Sequence, residues 1–132
     1  ARALLHGHTF TGNPLGARVA REVLAIYRDE SVLAGIPART ALIRACMDSL
    51  ATRRGITNAR ALGMVGAVDL GGQGYLSDAG VAITDAARAR GIHLRPLGDT
   101  IYVSPAINIP ISDLTTLLSG LSDSINEVVA KV

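Results

Sequence analysis

The chain has 132 residues, of which 48% are hydrophobic and 18% charged. That length and balance suit a compact domain with a real core and exclude a disordered or fibrous polypeptide. The formal net charge is only +2, and the arginines are scattered. They form no dense basic run interleaved with aromatics of the kind a nucleic-acid surface requires. Aromatics make up 3% of the chain and Trp is absent, so Ala, Leu, Ile and Val must build the core. Cys46 is the only cysteine, which excludes an internal disulfide and points to a reducing, cytoplasmic setting. No apolar run approaches the roughly 20 residues of a membrane span, and no signal peptide is evident. The opening residues, Ala1 to His6, lack an initiator Met and lead straight into a loop. They read as the start of a segment cut from something longer.

Residues 7 to 13, Gly-His-Thr-Phe-Thr-Gly-Asn, make a polar loop bounded by glycine. A helix is predicted to follow, with Asn13 as N-cap and Pro14 at the first helical position, where a missing N–H costs nothing. Ala20, Val23, Leu24 and Tyr27 recur at helical spacing and predict a buried stripe. A second helix is expected over about 30 to 53, with Pro37 marking a kink near its start and Gly55 ending it. It carries Val32, Ile36, Leu42, Ile43, Met47 and Leu50. From Ala61 to Leu70 the period changes to two. One strand is predicted there, with Leu62, Met64, Gly66, Val68 and Leu70 on one face and small residues facing a close neighbour on the other.

Gly71-Gly72-Gln73-Gly74 reads as a turn. Ser77-Asp78 is expected to cap a helix running to about Arg90, with Gly91 as its stop. Two short strands are predicted around 92 to 95 and 100 to 104, joined by Pro96-Leu97-Gly98-Asp99. Pro105 and Pro110 bracket a connection. A last helix is expected with Ser112 as N-cap and the stripe Leu114, Leu117, Leu118, Leu121, Ile125 and Val128. The fold class that follows is α+β, with helices on one face of a small, mostly antiparallel sheet.

Two features could carry chemistry. The loop His6-Gly7-His8-Thr9-Phe10 joins glycine freedom, a hydroxyl and a following helix N-terminus, a combination suited to an anion such as phosphate. Arg95 precedes Pro96, so its backbone is extended, and its guanidinium suits a carboxylate held by two parallel hydrogen bonds. An ordinary helix-entry loop and a solvated arginine are the competing readings. His6 and His8 lack a third partner for a metal site. Cys46, set among helical residues, reads as a small hydrophobe rather than a nucleophile. Gly71 to Gly74 match no dinucleotide fingerprint, and no phosphate-loop motif of the Walker type is present.

Three stretches, taken together and in this order, resemble the class III, fold-type-I aminotransferases. They are His6-Gly7-His8-Thr9-Phe10-Thr11-Gly12-Asn13-Pro14-Leu15, then Leu62-Gly63-Met64-Val65-Gly66-Ala67-Val68, then Leu94-Arg95-Pro96-Leu97-Gly98-Asp99-Thr100-Ile101-Tyr102-Val103-Ser104-Pro105. The likeness is greatest to the branch of that family that acts in biotin biosynthesis. It implies a pyridoxal 5'-phosphate enzyme that moves an amino group from S-adenosylmethionine to 8-amino-7-oxononanoate. Residues 1–28 would be the end of the large cofactor domain, and residues 29–132 the C-terminal small domain. A homodimer with active sites at its interface is implied, with small-molecule substrates and neither nucleic acid nor membrane as partner.

Carried over residue by residue, the resemblance gives His8 and Thr9 a place at the cofactor phosphate. It sets Gly7 beside the substrate and assigns Arg95 to the substrate carboxylate. The lysine that forms the Schiff base with the cofactor would lie upstream of Ala1. Lys131, the only lysine, matches no such position, so no catalytic residue is expected in this chain and the chain alone should be inactive. The sequence departs from the pattern at Ala106, where relatives often carry a second proline; this puts the substrate in question more than the class. Another class III enzyme acting on ω-amino acids, or a stand-alone domain without catalysis, are the alternatives.

Overall fold

The computed structural model describes residues 6–71 and 78–130. Ala1 to Leu5, the turn at Gly72-Gln73-Gly74, the Ser77 cap and Lys131 lie outside the described residues. The chain divides into two compact units, Ala1–Ala34 and Gly35–Val132.

The first unit is built on α1, Pro14–Asp29. Its entry follows the expected local chemistry: Asn13 Oδ1 accepts the Leu15 N–H at 3.0 Å, and Pro14 opens the helix. The chain leaves α1 through Ser31, which takes a positive φ of 51°. The expected buried stripe is not buried. Ala20, Val23 and Leu24 are exposed, and of the four residues only Tyr27 is partly covered. Amphipathic spacing states which face wants cover, but a helix cannot supply that cover itself.

The second unit opens with α2, Ile36–Ala51, preceded by a 3-10 turn at Val32–Gly35. The single helix expected over 30 to 53 is therefore broken at its start. Pro37 falls in the first turn, where its missing N–H is no loss, so it begins α2 rather than kinking it.

The alternating segment is not one strand but part of a hairpin: β1, Ile56–Leu62, and β2, Val65–Leu70. The chain reverses at Gly63-Met64, with Gly63 at φ +56°, a conformation that favours glycine. Leu62 pairs with Val65 and Ala61 with Gly66. Paired residues share a face, so the turn shifts the alternation by one. Leu62 faces outward and is 85% exposed, while Gly66, Val68 and Leu70 on the core face are buried. The closest approach is at Gly66, and its cross-strand partner Ala61, from the alternate set, also packs against the core. A bulge between Thr57 and Arg60, with Asn58 at φ +48°, breaks the ladder once.

Helix α3, Asp78–Ala89, is followed by Gly91 at φ +74°. The strand β3, Thr100–Val103, then pairs antiparallel with β2, giving the sheet order β1-β2-β3. The strand expected at 92 to 95 does not form. Among the described residues that stretch joins no ladder, and its hydrophobic residues Ile92 and Leu94 are buried in the core instead. Alternation alone could not separate these two outcomes, because an extended chain buries every second residue with or without a partner strand.

The last helix, α4, spans Ile111–Val129, with Pro110 at its N-cap. Ser112, expected as the cap, sits inside the first turn, and its hydroxyl lies 3.3 Å from Asp113 Oδ1. The stripe of α4 holds: Leu114, Leu118, Leu121 and Ile125 are buried, and Leu117 and Val128 are partly so. They share one core with Ile43, Met47 and Leu50 of α2, Ile83 and Ala87 of α3, and Val68, Ile101 and Val103 of the sheet. The second unit is thus α+β, with helices on a three-stranded antiparallel sheet.

Candidate functional site

The candidate loop at residues 6 to 13 lies in the first unit and Arg95 in the second. In the loop, the His8 N–H donates to Thr11 Oγ at 2.7 Å, and the Thr11 N–H donates to the His8 carbonyl at 2.9 Å. The Phe10 N–H donates to His8 Nδ1 at 3.2 Å. In a neutral ring the proton then sits on Nε2, which leaves that N–H free to donate outward. Gly12 at φ +80° turns the chain into the Asn13 cap. The loop is thus held by its own hydrogen bonds, and the Thr9 hydroxyl is not used in holding it.

Gly7, His8, Thr9 and Phe10 are all exposed, Phe10 at 72%. No acidic side chain occurs between His6 and Arg21. A set of donors, one free hydroxyl and no carboxylate suits the phosphate end of a cofactor. The His6 and His8 rings meet edge to face, with centroids 5.4 Å apart. Among the described residues no three His, Cys, Asp or Glu side chains gather to hold a metal ion.

Arg95 is placed by its neighbours. Ile92 and Leu94 anchor the segment in the core, so the alternate residues His93 and Arg95 face out. Beyond Pro96 the chain closes tightly: Leu97 and Thr100 exchange N–H···O bonds of 3.0 and 3.1 Å. The Leu70 N–H donates to the Asp99 carbonyl at 2.9 Å, tying this turn to β2. Helix α3 backs it at Gly80, where a Cβ would stand 3.1 Å from the Gly98 carbonyl oxygen and 3.6 Å from Pro96 Cβ. The backbone of Arg95 is therefore fixed from both sides.

Arg95 lines a cleft of 270 Å³ together with His93, Tyr102, Ser104, Pro105 and Leu117. Several other arginines are committed. Arg39 donates to the Ile109 carbonyl and Arg44 to that of Ala61, while Arg60 pairs with Asp69, Arg88 with Asp85, and Arg90 with Glu127. Among the described residues, Arg95 makes no hydrogen bond or ion pair. His93, Tyr102 and Ser104 were not singled out from sequence. The signal for His93 was present, since it stands two residues before Arg95 on an extended segment.

The remaining candidates are structural. Cys46 is partly buried, with Sγ 3.4 Å from Ser122 Oγ and 3.8 Å from the Leu118 carbonyl. Burial pushes its thiol pKa up, and the Ser122 contact only partly offsets this, which disfavours the reactive thiolate. On the outer face of the sheet, Asp69 accepts hydrogen bonds from Arg60 at 3.0 Å, Asn58 at 2.6 Å and Thr100 at 2.8 Å. The Arg60 guanidinium, with the other two donors, holds its carboxyl below the usual value despite some burial. That carboxylate staples three strands. Among the described residues no helix is long and apolar enough to cross a membrane.

Comparison with known proteins gives a consistent answer. The chain is 32% identical, over 96% of its length, to the adenosylmethionine-8-amino-7-oxononanoate aminotransferase of Geobacter sulfurreducens, covering 30% of that protein. It is 29% identical to the putrescine–pyruvate aminotransferase of Pseudomonas aeruginosa, over 96% of the chain and 29% of that relative. The solved adenosylmethionine-8-amino-7-oxononanoate aminotransferase of Methanocaldococcus jannaschii superposes with a TM-score of 0.82 at 27% identity, over 94% of this chain and 30% of that one. The chain thus spans about 30% of the length of the curated relatives it matches. The family profile described as Aminotransferase class-III matches residues 1–125. The chain belongs to the class-III aminotransferases.

Proposed function

We propose that this chain is the C-terminal part of a pyridoxal-phosphate-dependent aminotransferase of biotin biosynthesis. The reaction transfers an amino group from S-adenosylmethionine to 8-amino-7-oxononanoate, yielding 7,8-diaminononanoate. Several relatives carry that activity in their names. The single observation that supports the reading best is Arg95: an uncommitted guanidinium beside a hydrogen-bonded turn, lining a cleft that holds no carboxylate among the described residues. Its partner in this proposal is the carboxylate of the oxononanoate chain, with Pro105 and Leu117 beside the aliphatic carbons.

Residues 1–28 then form the end of the large cofactor domain and 29–132 the C-terminal small domain. His8 and Thr9 donate to the cofactor phosphate, and Gly7 leaves room beside the substrate. When bound, the cofactor supplies the electron sink and the amino carrier. The chain's own residues bind and orient; proton movement falls to a lysine upstream of Ala1. The enzyme acts in the cytoplasm as a homodimer whose active sites lie between subunits.

The test uses the complete protein encoded by its reading frame, loaded with pyridoxal phosphate and given both substrates. Mass spectrometry should find 7,8-diaminononanoate, with S-adenosylmethionine as the amino source. Arg95→Ala should raise KM for the oxononanoate, because losing one member of such a charge pair costs about 2–5 kcal/mol. Transfer only from other donors, or an unchanged KM in Arg95→Ala, overturns the proposal.

A further inference from the structure

Resting on the assignment of Arg95 to the substrate carboxylate, we infer that His93 is the second donor to that carboxylate. His93 and Arg95 alternate with the buried Ile92 and Leu94, so both side chains leave the same face of one extended segment. Residues two apart on an extended chain are separated by roughly 6.6 Å between Cα atoms. An imidazole and a longer guanidinium rooted at that spacing can converge on the two oxygens of one carboxylate.

Both side chains wall the same cleft. Neither makes a hydrogen bond or ion pair among the described residues, so neither must be withdrawn from another partner to bind. Among the described residues the other charged or titratable wall group is the Tyr102 phenol, and no Asp or Glu lines the cleft to compete for the imidazole. The segment carrying His93 is pinned at Ile92, whose N–H donates to the Ala87 carbonyl at 2.9 Å and whose side chain lies against Gly120. The imidazole is thus aimed by a fixed backbone, as the guanidinium is.

The consequence is a cleft that selects an acid over its neutral amide by two groups, Arg95 first and His93 second. A bond from a neutral or charged donor to a carboxylate is worth more than the same bond to an amide oxygen. His93→Leu removes the donor while keeping bulk. His93→Gln keeps an N–H donor at nearly the same reach.

The experiment measures binding of octanoate and of octanamide to the complete cofactor-loaded protein by calorimetry, for the parent, His93→Leu, His93→Gln and Arg95→Leu. We expect His93→Leu to weaken octanoate about tenfold and leave octanamide unchanged, and His93→Gln to restore most of the loss. A His93→Leu variant that binds octanoate as the parent does overturns the inference. If Arg95→Leu is then still impaired, the Arg95 reading survives. If Arg95→Leu also binds as the parent does, the carboxylate assignment itself falls. Equal weakening of acid and amide in His93→Leu, with no rescue by Gln, shows a packing role and also overturns it.

Discussion

Gly66 of β2 lies directly against Ile43 of α2: a Cβ at Gly66 would stand 2.5 Å from Ile43 Cγ2 and 3.1 Å from Met47 Cγ. The sheet can approach the helix only because this position carries no side chain. Ile43 and Met47 are almost fully buried and cannot move aside freely. Gly66→Ala should therefore destabilise the fold by about 1–3 kcal/mol, the usual cost of overpacking. Gly66→Val should cost more. Denaturant midpoints of the two variants against the parent check this; an Ala variant as stable as the parent would show that α2 can shift.

Asp69 makes stability depend on pH with a definite sign. Its folded pKa is lowered, chiefly by the Arg60 hydrogen bond, from an ordinary value of 3.8. A depressed carboxylate contributes stability that is fully present above its unfolded pKa and is lost as pH falls through the folded one. Arg60 is 45% exposed at its side chain, so solvent screens the pair. The contribution should be modest, about 1 kcal/mol. Asp69→Ala should be less stable than the parent by that amount at pH 7. The gap should shrink below pH 3.8, which thermal melts at both ends of the range would detect.

Thr9 offers a hydroxyl that the loop does not use for its own folding. Thr9→Val keeps the shape and removes the donor. In the complete protein, cofactor retention during dialysis should fall, because a hydrogen bond to a charged group is worth about 1.5–3 kcal/mol. The melting temperature without cofactor should change little. Equal retention by the variant and the parent would remove Thr9 from the phosphate site.

Along α1 the exposed residues Leu15, Val19, Val23 and Ile26 follow helical spacing. An exposed apolar stripe of this kind favours association. The 132-residue chain should sediment with a concentration-dependent mass, and Val19→Asp with Val23→Asp should reduce it. Sedimentation equilibrium separates the outcomes; a monomeric parent would contradict the prediction.

Local signals were legible wherever the chain's chemistry is satisfied within a few residues. Asn13 and Pro14 start α1, and Gly91 at positive φ follows α3, because a cap needs only its own helix. The stripe of α4 was readable because four of its residues meet the core of their own unit. The α1 stripe had the same periodicity, yet it stays exposed. Spacing records which face is apolar, not what lies opposite.

The amino-acid order alone determined most of the helices, marked the 6 to 13 loop and Arg95 as candidates and, through three stretches taken together, indicated the family. Only the tertiary structure decided the parity of the sheet. The two residues Gly63 and Met64 reverse the chain and move Leu62 to the outer face, which an unbroken alternation concealed. It likewise decided that 92 to 95 joins no strand among the described residues, and that His93 shares a cleft with Arg95 and Tyr102. A side chain's face is set by what its neighbours bury. That depends on contacts between segments far apart in the chain, such as Gly80 with Gly98 and Gly120 with Ile92.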